Sequence, residues 1–69
     1  VSGKNFNSYV DSYRIREAVR IIEESPKEAV FKQIAEAVGY NSVPVFYKAF
    51  SKETGLAPGK YRDELLRRA

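Results

Sequence analysis

Apolar residues recur along this chain at helical spacing, in stretches separated by short breaks that carry Gly, Pro or Ser. Phe31, Ile34, Ala35 and Val38 fall at i, i+3, i+4 and i+7, the signature of one apolar helix face. Gly39 then supplies the left-handed backbone position at which helices commonly end. Ser42 stands where its hydroxyl would accept the Val45 N–H, and Pro44 falls in the first turn of a new helix, where no intrahelical donor is missed. Phe46, Ala49 and Phe50 resume the helical spacing, so this second helix packs through that face and turns its other side to solvent. Small Ala35, four residues before Gly39, lets the second helix cross close over the first. The pattern predicts a helix-turn-helix.

A longer helix precedes it, over residues 6–24, where neither Gly nor Pro interrupts the chain. It carries two apolar stripes. Phe6, Tyr9, Val10 and Tyr13 form one, and Ile15, Ala18, Val19 and Ile22 form the other. At roughly 100° per residue the two stripes point about 180° apart, so the halves of one helix face opposite partners. The second stripe is expected in the core, whereas a chain of this length offers no obvious element to cover the first. Ser25, Pro26, Lys27 and Glu28 punctuate the connection and fit a capping box with a helix start near Lys27. Beyond Thr54 and Gly55, the segment Leu56, Ala57, Pro58 starts a last helix over residues 57–67, with Tyr61, Leu65 and Leu66 facing inward. The predicted architecture is all-α and homeodomain-like, about four helices in a single domain: the long helix, a helix-turn-helix over residues 27–54, and a C-terminal brace.

Composition narrows the function. The chain has 69 residues, 43% of them hydrophobic, enough for one small core and too few for an enclosed cofactor pocket. With no Cys and no His, it lacks the means for disulfides, zinc clusters and thiolate or imidazole catalysis, so neither enzyme activity nor a cofactor or metal is expected. No apolar run approaches the roughly 20 residues of a membrane span, and no signal pattern opens the chain, which reads as cytoplasmic. Twelve Lys and Arg against nine acids give a net charge of +3, a balance that suits nucleic acid. Gly55, Gly59 and Lys60 are not a phosphate-binding loop, because the spacing is short, Tyr61 replaces the required Ser or Thr, and no strand precedes them.

Taken together, Tyr9 to Ile22, then Ile34, Ala35, Val38, Gly39 and Tyr40, then Phe46, Phe50, Gly55, Pro58, Tyr61 and Arg62 resemble the C-terminal part of the AraC/XylS family of bacterial transcription regulators. The resemblance covers nearly the whole chain. It implies a DNA-binding unit of two helix-turn-helix motifs joined by a linker helix, with residues 6–24 as the linker and residues 31–54 as the second motif. It further implies that the chain is a fragment of a longer regulator, with a first motif and a sensor, dimerisation or receiver region upstream. Three departures from the family pattern stand out: a connection between Ile22 and Ala35 about two residues longer than usual, Ala57 where a Ser or Thr cap is common, and Val43 and Pro44 at turn-proximal positions that are often polar in relatives, which weakens the case for extensive base readout.

For such a unit the partner is double-stranded DNA, whose major groove, roughly 12 Å wide, admits one α-helix. With Phe46, Ala49 and Phe50 turned inward, a recognition helix over residues 42–54 directs Val43, Pro44, Tyr47, Lys48 and Ser51 outward as candidate base readers. Lys48 would donate to guanine or hold a phosphate, Tyr47 would offer its hydroxyl, and Val43 and Pro44 would touch a thymine methyl. Lys32, Asn41, Ser42, Lys52, Lys60 and Arg62 are candidate phosphate contacts, Asn41 and Ser42 by virtue of free N–H groups at the helix start. Arg62 is equally placed for a structural ion pair. Arg20 has Glu24 four residues on and reads as solvated surface. A different function remains open on sequence grounds, that of a protein-interaction module docking on a partner subunit or on RNA polymerase. The stripe of Phe6, Tyr9, Val10 and Tyr13 favours it, and the same stripe predicts self-association of this chain.

Overall fold

The computed structural model describes the backbone of residues 3–68 and the side chains of residues 9–68. Four helices follow in order: α1 (Gly3–Glu24), α2 (Phe31–Val38), α3 (Val43–Thr54) and α4 (Pro58–Arg68), with a 3-10 turn at Pro26–Glu28 between the first two. At about 1.5 Å per residue α1 is about 33 Å long, and the other three helices gather against it from Asp11 onward.

The turn between α2 and α3 forms as its sequence dictates. Gly39 adopts φ 105°, its N–H donates to the Glu36 carbonyl at 3.2 Å, and the Tyr40 N–H donates to the Ala35 carbonyl at 2.8 Å. These two bonds are a Schellman ending, which satisfies carbonyls the helix would otherwise leave free. Ser42 then caps α3 by accepting the Val45 N–H at 3.4 Å, with Pro44 in the first turn. At its far end α3 stops on Gly55, at φ 84°, whose N–H donates to the Ser51 carbonyl at 2.8 Å.

Between Glu24 and Phe31 the structure corrects the sequence reading. No α-helix starts near Lys27, and Ser25 makes no side-chain cap. Instead the Glu28 N–H bonds the Ser25 carbonyl at 3.1 Å and closes a 3-10 turn. Ala29 and Val30 are extended, and α2 begins at Phe31. The extended link has a packing reason: it lets Pro26 face Leu65 and Leu66 of α4 while Phe31 reaches Tyr47 of α3.

The core joins Ile15, Ala18 and Ile22 of α1 to Ile34 and Ala35 of α2, Tyr40 of the turn, and Phe46 and Phe50 of α3. Burying each large side chain contributes about 1.5–3 kcal/mol. Aromatic rings run through it in sequence, Tyr40 to Phe46 at 5.8 Å, Phe46 to Phe50 at 5.7 Å and Phe50 to Tyr61 of α4 at 5.6 Å between centroids. Val19, Tyr61 and Leu65 pack around the rim. Three hydroxyls tie α1 to the remaining elements: Tyr40 donates to Asp11 at 3.0 Å, Ser12 to Glu53 at 2.9 Å and Tyr61 to Glu23 at 3.1 Å.

The opposite stripe of α1 stays uncovered. Tyr9 is 70% and Tyr13 60% exposed, Val10 is half-buried, and Phe6 lies outside the described side chains. Arg20 pairs with Glu17 at 3.0 Å and Glu24 at 2.7 Å on the solvated side. No described helix is long and apolar enough to cross a membrane.

Candidate nucleic-acid interface

Helix α3 is held to the core by Phe46 and Phe50, and its rotation about its own axis decides which side chains reach solvent. Pro44, Lys48 and Ser51 are exposed, in keeping with their outward placement in the sequence reading. Val43 and Tyr47 are only half-exposed. The Tyr47 ring meets Phe31 edge-on, centroids 6.1 Å apart at 82°, and lies 6.0 Å from Phe46. Phe31 draws that side of α3 inward, and the exposed stripe turns correspondingly toward Val45 and Lys52. Val45 is 55% exposed. A helical wheel with Ala49, Phe46 and Phe50 as the inward set does not bring Val45 out, whereas in the structure the half-buried flank also includes Val43 and Tyr47. The sequence held one usable signal, the apolar Phe31 at the start of α2, which needs an aromatic neighbour on α3.

The outward stripe is therefore Pro44, Val45, Lys48, Ser51 and Lys52. It carries two lysines, and no acid occurs between Val43 and Lys52. Glu53, the first acid beyond, is held by Ser12 of α1.

Beside this stripe, Lys32, Asn41, Ser42, Val43 and Pro44 line one shallow groove between α2 and the start of α3, with Glu36 on its wall. The structure thus brings three of the phosphate candidates next to two of the base-reading candidates. Lys60 is exposed but stands apart on α4. Arg62 is packed. Its guanidinium lies 5.2 Å above the Phe31 ring, its Nε is buried without a hydrogen bond, and Asp63 Oδ1 is 3.7 Å away. The ion pair expected as its structural alternative is thus long for a salt bridge, while the guanidinium lies within the roughly 6 Å range of a cation–π contact.

The turn is stiffened from the other side. Arg14 of α1 stacks 5.3 Å over the Tyr40 ring. Burial, and then the hydrogen bond to Asp11, push the Tyr40 phenol from 10.0 up to about 12. Burial and Glu23 raise Tyr61 in the same direction. Both phenols stay protonated donors at neutral pH, Tyr40 tying the turn and Tyr61 tying α4 to α1. Among the described residues, no group of three or more His, Cys, Asp or Glu is placed to hold a metal ion.

A family profile described as a helix-turn-helix domain matches residues 1–64. The chain belongs to the AraC/XylS family of transcription regulators. Over 64 residues it is 31% identical to the uncharacterized HTH-type transcriptional regulator YobQ of Bacillus subtilis, covering 93% of this chain and 26% of that protein. YtdP, a second uncharacterized HTH-type transcriptional regulator of that organism, is 36% identical over 62 residues, 90% of this chain and 8% of its own length. The RCS-specific HTH-type transcriptional activator RclR of Escherichia coli is 35% identical over 65 residues, 94% of this chain and 22% of its own length. The chain thus spans about a quarter or less of these relatives. No solved structure matches it significantly. As in the AraC/XylS regulators, the function of this unit is DNA binding in transcription regulation.

Proposed function

We propose that this AraC-type unit binds duplex DNA sequence-specifically by laying α3 in the major groove. The observation that carries the reading is the outward stripe of α3, free of acids, bearing Lys48, Ser51 and Lys52 over a helix fixed by Phe46 and Phe50. Lys48 and Ser51 stand at the centre of the stripe and address base edges, with Pro44 at its leading end and Val43 and Tyr47 along its flank. Lys32, Asn41, Ser42 and Lys52 hold phosphates on either side, and Lys60 and Arg62 extend the charged border on α4. In this reading α1 is the linker, and its Tyr9, Val10 and Tyr13 face receives an upstream helix-turn-helix of the same regulator in the cytoplasm.

Salt tests the reading. Each phosphate contact lowers log K by about 0.9 per log unit of salt, and this unit alone is expected to bind nonspecific DNA at about 10⁻⁴ to 10⁻⁶ M. Lys48→Ala should reduce affinity for a selected target by about 1–3 kcal/mol if the lysine reads a base, and reduce it uniformly across sequences if it holds a phosphate. A second reading, docking on a partner subunit or RNA polymerase, is favoured by the exposure of Tyr9 and Tyr13. Binding that ignores salt, or no DNA binding at low salt, would overturn the DNA reading and leave that one standing.

A further inference from the structure

The leading end of the recognition stripe has no hydrogen-bonding side chain. Pro44 and Val45 are both exposed there, and at about 100° per residue they straddle the line that leads to Lys48 one turn later. Val43 adds a half-buried third apolar group. Exposed apolar side chains flanking a lysine leave their burial unrealised while the surface stays wet. Ser42, the residue before this turn, accepts the Val45 N–H with its oxygen and in the major-groove reading gives its own hydrogen to phosphate. A base edge meeting the Pro44 and Val45 side chains therefore finds only methyl and methylene groups.

Among the groups a major groove presents, one answers that chemistry: the C5-methyl of a pyrimidine. We infer that the Pro44 and Val45 turn is a C5-methyl reader, selecting thymine, and equally 5-methylcytosine, over pyrimidines without the methyl. This rests on the major-groove reading and adds its ligand class. It also assigns a role to Val45, and it makes cytosine methylation within a target a modification this chain detects as tighter binding. Lys48 supplies the hydrogen-bonded contact beyond the methyl, so a thymine or 5-methylcytosine followed by a guanine is the favoured step.

The test compares duplexes that differ in the methyl alone. Short alternating A·T duplexes are titrated by fluorescence anisotropy at low salt against the same duplexes with uracil for thymine, and mixed G·C duplexes against the same sequences with 5-methylcytosine. The methylated member of each pair should bind about fourfold tighter for each methyl covered, the equivalent of ~0.8 kcal/mol per buried carbon. In Val45→Ser, whose side chain is exposed and whose fold is checked by circular dichroism, both ratios should fall toward one. Salt-sensitive binding with equal affinity for both members of each pair overturns the methyl reader and leaves the DNA reading standing. An absence of salt-sensitive DNA binding overturns both. A methyl preference that survives unchanged in Val45→Ser also overturns the assignment.

Discussion

Replacing Tyr40 by Phe keeps the ring in the core and removes only the hydroxyl, so it isolates the bond that pins the turn to α1. The ring is 6% exposed and the hydroxyl donates to Asp11 at 3.0 Å. Asp11 keeps access to water once its donor is gone, which places the loss near the typical net value of about 1 kcal/mol at neutral pH. In a domain of this size that lowers Tm by about 4–8 °C. Alkali should reverse the order of the two proteins. The phenol titrates at about 12 in the fold against 10.0 in the unfolded chain. The native state therefore binds its proton more tightly: this contribution is fully present below the unfolded value and is lost as pH rises through the folded one. Two units at about 1.36 kcal/mol each amount to roughly 2–3 kcal/mol. Tyr40→Phe lacks this dependence, so its stability curve should cross that of the parent chain at about pH 11. Urea unfolding followed by circular dichroism across this range measures both curves, and the comparison removes the alkaline effects of Tyr61 and the lysines common to both. Parallel curves throughout would refute the argument.

Phe50 is 0% exposed and touches Phe46 and Tyr61, so Phe50→Ala should cost about 3–5 kcal/mol in chemical denaturation, most of the stability of so small a domain. Gly39→Ala must hold φ 105° and would place its Cβ 3.2 Å from Arg14 Nε, whereas Gly55→Ala at φ 84° meets nothing within 4 Å. Both should lose roughly 1–2 kcal/mol to left-handed strain, and Gly39→Ala should lose more; equal losses would show that Arg14 moves aside freely. Sedimentation at millimolar concentration should detect association of the chain through the Tyr9 and Tyr13 face. Tyr9→Glu with Tyr13→Glu should abolish it without loss of helicity, while a parent chain that stays monomeric would show that the exposed stripe does not drive pairing.

The helix-turn-helix was legible because its signals are local. Gly39, Ser42 and Pro44 act on their own backbone, and the spacing of Ile34, Ala35, Phe46 and Phe50 needs only the geometry of a helix. The opposite stripes of α1 were legible for the same reason. What the sequence concealed depends on contacts between elements. Whether the residues from Lys27 to Val30 continue α2 or break before it is decided by Pro26 facing α4, far away in the chain. The rotation of α3 depends on Phe31, and a wheel drawn on α3 alone cannot contain that information, so it sets Tyr47 too far outward and omits Val45. Arg62 is a third case: its place above Phe31 follows from the packing of α4 on α2, and neither segment announces it.

Because α3 is anchored through Phe46 and Phe50 on one side and shows Pro44, Val45, Lys48, Ser51 and Lys52 on the other, the two sets of residues are free to change at different rates. Substitution at an exposed position usually shifts stability by no more than about 0.5 kcal/mol, so a duplicated gene can drift at the outer positions without jeopardising its fold. Tyr47 lacks that liberty, since it props up Phe31 and, through it, the seat of Arg62. New target sequences can therefore arise here by repainting one side of a single helix, and an engineer grafting a foreign recognition surface onto this scaffold should leave Tyr47 in place and randomise its neighbours.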